Sequence, residues 1–201
     1  MSTRSDDVKE AAASAIKSKK DLEAHVANLA GSSRRERQSS AAVIAAVSKD
    51  DPEKLVPYMS DIIDALNRPE AQTRWEVLDA LTELVSLDAR TCDKALIGAE
   101  TALFDEDSGP LRLAAMRFLC AFGATTENRS EKVWSLIDEG IQCYHGDLEF
   151  LDMLVGVIEF SAGKLAPSVK EELAARMKFD AENGKGQLKK RATQIEENLA
   201  K

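Results

Sequence analysis

Apolar residues recur at helical spacing through most of this chain, and the clearest stretch runs from Glu53 to Val85, EKLVPYMSDIIDALNRPEAQTRWEVLDALTELV. Leu55, Met59, Ile62, Ile63 and Leu66 form one apolar stripe, and Val77, Leu78, Leu81, Leu84 and Val85 form a second. The pattern breaks at Asn67-Arg68-Pro69, where a proline sits well at the start of a new helix but not inside one. Two amphipathic helices joined by so short a break form a hairpin. A hairpin of this kind cannot bury its apolar faces alone and needs neighbours like itself.

The rest of the chain divides in the same way. Residues 6–18 predict a short helix with Ser5 or Asp6 as N-cap, and 21–31 a second that stops at Gly31. A third spans about 33–47. Beyond the central unit, helices are expected at about 89–104, 110–122, 130–144, 148–162, 167–182 and 186–200, separated by DEDSGP, His145-Gly146-Asp147 and similar punctuation. Two columns keep one register through these hairpins. Leu29, Leu66, Phe104, Ile141 and Phe179 close the first helices at steps of 37, 38, 37 and 38. Arg37, Arg74, Arg112, Phe150 and Lys189 recur in the second helices at 37, 38, 38 and 39, each followed ten residues on by Val47, Leu84, Phe122, Phe160 and Leu199. Repeats of this length point to an α-solenoid.

Pro57 in the first helix, Pro69 opening the second and Arg74 ahead of an A-L-x-x-L run make the central unit resemble the HEAT repeat. The resemblance extends to HEAT/armadillo-like helical repeats over nearly the whole chain. It implies an all-α fold, a right-handed α-α superhelix of about five helical hairpins, with residues 1–19 as an N-terminal helix or cap and 20–201 as a single repeat domain. In HEAT repeats the recurrent arginine bonds within and between units, so Arg37, Arg74 and Arg112 read as structural. Phe150 in that column predicts a change of packing in the fourth unit.

Charge narrows the choice of partner. The chain carries a formal −8, distributed as +2 over residues 1–50, −11 over 51–150 and +1 over 151–201. An acidic middle repels phosphate backbones, which disfavours nucleic acid. The 44% hydrophobic content suits a folded protein, and aromatics at 5% favour helix over sheet. Cys92, Cys120 and Cys143 lack disulfide or zinc-site spacing, and Cys120, within FLCAF, reads as core. With no apolar leader and no run of membrane-spanning length, the expected setting is a reducing cytoplasm, with no membrane partner.

In a solenoid, the surface lined by second helices is the usual binding face. Offsets of two, five and nine residues from the arginine column share one helix face. They give Ser39, Ala42 and Ala46, then Glu76, Asp79 and Glu83, then Ala114, Arg117 and Ala121, then Asp152, Val155 and Glu159, and finally Arg191, Gln194 and Asn198. The expected function is a non-catalytic scaffold or regulatory adaptor that binds a protein partner, in particular a basic segment, through Glu76, Asp79, Glu83, Arg117, Asp152 and Glu159.

One local motif points elsewhere. Trp75-Glu76-Val77-Leu78-Asp79 resembles the W-D-x-V-D stretch of the HEAT-like DNA alkylation-repair glycosylases. That resemblance implies Trp75 stacking on a damaged nucleotide, Asp79 stabilising the developing sugar cation, and Arg112 gripping phosphate. The chain departs from the family in having no tryptophan near Phe150 and an acidic groove. No other catalytic constellation stands out. The glycines form no phosphate-binding loop, and His25 and His145 have no metal-ligand spacing, so no cofactor or metal is expected. Lys185, Lys189, Lys190 and Arg191 read as the polar cap of the last repeat.

Overall fold

The computed structural model describes residues 4–201, and among them every regular element is helical. The chain divides into two compact units, Met1–Ala102 and Leu103–Lys201. In the first, α1 (Arg4–Lys17), α2 (Lys19–Leu29) and α3 (Arg34–Asp50) are followed by a short helix α4 (Met59–Asp64) and the long α5 (Ala71–Cys92). Helix α6 (Leu96–Leu103) reaches the boundary. The second unit contains α7 (Gly109–Gly123), α8 (Glu127–Cys143), α9 (Phe150–Ser161), α10 (Pro167–Asn183) and α11 (Gly186–Leu199).

The expected stripes are the core. Leu55, Met59, Ile62, Ile63 and Leu66 are buried, as are Val77, Leu78, Leu81, Leu84 and Val85. Pro57 has a visible effect: the segment Pro52–Tyr58 is wound as a tighter 3-10 helix, and regular α-helix begins only at Met59. Helix α5 is bent at Asp88, whose backbone leaves the helical region at φ −150° and ψ 72°. Its carboxylate accepts from the Thr91 amide (3.0 Å) and hydroxyl (2.6 Å), so Asp88 caps the turn that follows. These bonds hold the Asp88 carboxyl below its ordinary range.

Within each unit the helices form two layers. In the first, α3 packs on α5 and α2 on α4, while α1 lies against both α2 and α3. In the second, α9 packs between α7 and α11, and α8 lies against α10. Among the described residues, Ser18, Ser33, Ser108 and Thr126 each cap a helix by accepting from the amide three residues on. The N-terminus of α1 differs from expectation, because its described helix already includes Ser5 and Asp6, and Asp6 and Asp7 sit in the first turn. There their charge opposes the partial positive charge of the helix end. Removing the α7 cap by Ser108→Ala is expected to cost about 1 kcal/mol, read as a lowered urea midpoint at unchanged slope.

The apolar column closing the first helices holds with one exception. Leu29, Leu66 and Ile141 are buried and Phe104 is half-buried, but Phe179 is 72% exposed. In the earlier hairpins a following first helix covers this position. A Cβ placed on Gly98 of α6 would lie 2.8 Å from Leu66, which shows how closely α6 approaches it. Phe179 lies in α10, and α11 is the last helix among the described residues.

Candidate functional site

Three basic members of the recurrent column share one task, which is to close their own hairpins. Arg37 donates from Nη1 to the carbonyl of Gly31 at 2.7 Å, Arg112 from Nη1 to that of Asp105 at 2.9 Å, and Lys189 from Nζ to that of Glu182 at 3.0 Å. Each reaches back six or seven residues to satisfy a carbonyl at the end of the first helix or the turn after it, where helix carbonyls lack partners. Arg37 also spans to the next hairpin: Nε and Nη2 form a bidentate pair with the Glu70 carboxylate, and both residues are buried. That pairing lowers the Glu70 carboxyl from the usual carboxylate range. Phe150, the apolar member of the column, is buried and tilts against the His145 ring, 4.8 Å between centroids.

The two acidic groups expected on the second helices sit in different surroundings. In the first unit Glu76, Asp79 and Glu83 follow one another along one side of α5. Glu76 and Asp79 are half-buried and Glu83 is exposed. Burial pushes the Glu76 carboxyl above its ordinary range and the nearby Asp79 charge adds to this, against hydrogen bonds from Trp75 and Gln72 and the attraction of Lys49. Trp75 beside it is half-buried.

In the second unit Arg117 of α7 and Asp152 and Glu159 of α9 are exposed. Ala114, expected on the same face, is buried at 3% exposure where α7 meets α9. The final helix also departs from expectation. Arg191 forms an ion pair with Asp152 at 3.6 Å and donates to the Leu151 carbonyl. Asn198 donates to the Ile158 carbonyl (3.2 Å) and the Ser161 hydroxyl (3.1 Å). These two side chains tie α11 to α9, and the basic cluster expected as a polar cap is partly structural, because Lys189 is also engaged.

For the glycosylase-like set, the guanidinium of Arg112 is already used within its own repeat: it bonds the Asp105 carbonyl and lies 5.0 Å over the Tyr144 ring. His25 packs beside the Ser40 hydroxyl at 3.1 Å, and burial lowers its pKa. His145 pairs with the buried Asp180 at 3.1 Å. Among the described residues no cluster of three His, Cys, Asp or Glu side chains is placed to hold a metal ion. Nor is any described helix long and apolar enough to cross a membrane. Cys92 and Cys120 are buried and Cys143 is exposed; burial pushes the Cys120 thiol far above its ordinary value.

No protein-family model matches the chain, and no curated protein matches it either. Solved structures do. A designed armadillo repeat protein in complex with the peptide (KR)4 shares 13% identity over 87% of this chain and 80% of its own, with a TM-score of 0.72. An engineered protein aligns over 96% of this chain and 89% of its own, at 16% identity and a TM-score of 0.75. The fold is a HEAT/armadillo-like helical repeat. A third structure, of computationally designed armadillo repeat proteins for modular peptide recognition, matches at 15% identity and a TM-score of 0.68, over 90% of this chain and 84% of its own.

One group of residues was invisible as a set in the sequence. Arg68, Arg74 and Lys94, from three separate segments, line a single cavity of the first unit. Arg68 falls in a turn and Lys94 in a short 3-10 turn, so neither belongs to a periodic pattern that would mark it.

Proposed function

We propose that this chain is a non-catalytic interaction scaffold or regulatory adaptor that binds a basic segment of a partner protein along its second helices. In the first unit the segment would meet Glu76, Asp79 and Glu83; in the second, Asp152 and Glu159 would take basic residues and Arg117 an interspersed acidic one. The observation that carries this reading is the row of three carboxylates on one side of α5, in an armadillo-like fold. Two neighbours of that fold support it: one is a complex with the alternating Lys-Arg peptide (KR)4, and another was designed for modular peptide recognition. The desolvated Glu76 and Asp79 strengthen the reading, since a charge contact in a partly dry site is less screened than one in open water.

The test uses a fluorescently labelled (KR)4 peptide and anisotropy. Wild type is expected to bind it with an affinity that falls steeply with salt, and an acidic control peptide is expected not to bind. Glu76→Lys, Asp79→Lys and Glu83→Lys together should weaken binding by at least about tenfold, because like charges then face the peptide. Asp152→Lys with Glu159→Lys reads the second unit separately. Binding should also weaken as the pH falls through the raised Glu76 range, because the protonated carboxyl carries no charge. Unchanged binding by a folded triple variant would remove this face from the account.

A further inference from the structure

On the first-helix side of the first unit, α4, the turn before α5, and α6 enclose an open cavity of about 600 Å³. Its charged lining is unusual for so acidic a chain: Arg68, Arg74 and Lys94 stand with the single carboxylate Asp64. The Nε of Arg68 is buried and has no hydrogen-bond partner among the described residues. A buried guanidinium donor left unmatched costs free energy that a bound oxygen acceptor would return. The lining is also partly apolar, with Ile63 buried and Ile97 79% exposed. A large aliphatic side chain standing that far into solvent beside a cationic pocket suits a ligand with both a charged and an apolar part.

We propose that this cavity binds a phosphate monoester, with the phosphate held by Arg68, Arg74 and Lys94 and its organic part against Ile63 and Ile97. A phosphate monoester carries close to two negative charges at neutral pH, which suits a lining with several cationic side chains, and the planar guanidinium fork suits its oxygens. The site is distinct from the acidic side of α5: its lining takes Arg74 from the start of α5 but none of Glu76, Asp79 and Glu83, and it attracts ligands of the opposite sign.

Isothermal titration with phenyl phosphate, followed by amide chemical-shift mapping, tests the assignment on the full chain. Phenyl phosphate is expected to bind more tightly than inorganic phosphate, benzyl alcohol not at all, and the shifts to centre on Asn67, Gly98 and Thr101. Arg68→Gln should weaken phenyl phosphate binding by at least about tenfold, as expected for loss of a charge-assisted contact. Lys94→Gln changes an exposed side chain, keeps the test valid if Arg68→Gln fails to fold, and should weaken binding about threefold. Inorganic phosphate binding as tightly as phenyl phosphate would overturn the role of the apolar lining. No binding, shifts centred elsewhere, or equal affinity in both variants would overturn the site.

Discussion

Replacing Glu70 by alanine is expected to destabilise the first unit by about 3 kcal/mol and to lower its melting temperature by roughly 10 °C. Glu70 is 7% exposed and is held by two guanidinium donors of Arg37, which in turn holds the Gly31 carbonyl. The truncation does more than remove an attraction: it leaves a buried guanidinium with no counter-charge, and that uncompensated desolvation is the larger part of the loss. The figure sits at the lower end for a broken buried pair because the site lies just beneath the surface. A control separates the two contributions. Arg37→Met together with Glu70→Leu removes both charges and fills similar volume, and should recover most of the loss. If the double variant is as unstable as Glu70→Ala, the pair serves packing and not charge compensation. Acid has the same effect as the single truncation. The folded-state pKa of Glu70 is depressed, so its contribution is complete above the unfolded value, near 4.3, and is lost as pH falls through the lower folded value. The Glu70→Ala variant should therefore show a shallower loss of stability on acidification than wild type.

This pair also marks how far the sequence could be read. Arg37 stood out because it recurs with Arg74 and Arg112 at repeat spacing, and its bonding within and between hairpins follows that reading. Its partner did not stand out. Glu70 is one carboxylate among many in an acidic stretch, and only the docking of successive hairpins selects it. The same distinction runs through the molecule. Helices and their buried stripes were legible, because a 3.6-residue period is a property of each segment alone. The break near residue 88 was legible as a gap between a stripe ending at Val85 and a helix expected from about 89, but not as a bend within one helix, since α5 runs on to Cys92 through the local capping bonds that Asp88 accepts from Thr91. Phe179 was assigned with the buried column because periodicity cannot say which position a neighbouring helix covers. On the proposed face, the position of Glu76, Asp79 and Glu83 along α5 followed from spacing, but the partial burial that shifts Glu76 did not. The cationic cavity escaped the sequence altogether, because Arg68, Arg74 and Lys94 come together only through the packing of α4, α5 and α6.

The largest single loss is expected from Phe160→Ala, about 4 kcal/mol, by creating a cavity in the second unit. Phe160 near the end of α9 is fully buried, and its ring lies parallel to that of Trp134 on α8, 6.5 Å between centroids and 4° between planes. Trp134 is itself fixed at its far edge, where its indole N–H donates to the Glu172 carboxylate on α10, so the stack cannot slide to fill a void. The space is also bounded by Gly123, which ends α7. A Cβ there would stand 2.7 Å from the Phe160 ring and 2.7 Å from a Val133 methyl, closer than carbon atoms pack. Gly123→Ala alone should therefore cost about 1–2 kcal/mol through overpacking, despite the gain in helix propensity. The two changes are opposite in sense at one point: the first vacates the volume that the second needs. In the double variant the new methyl faces the space left by the ring, and the combined loss should fall short of the sum by about 1 kcal/mol. Guanidinium unfolding of the four species of this cycle measures the coupling directly. Strict additivity would mean that the Phe160 ring does not limit the approach of α7, and that Val133 alone excludes a side chain at Gly123.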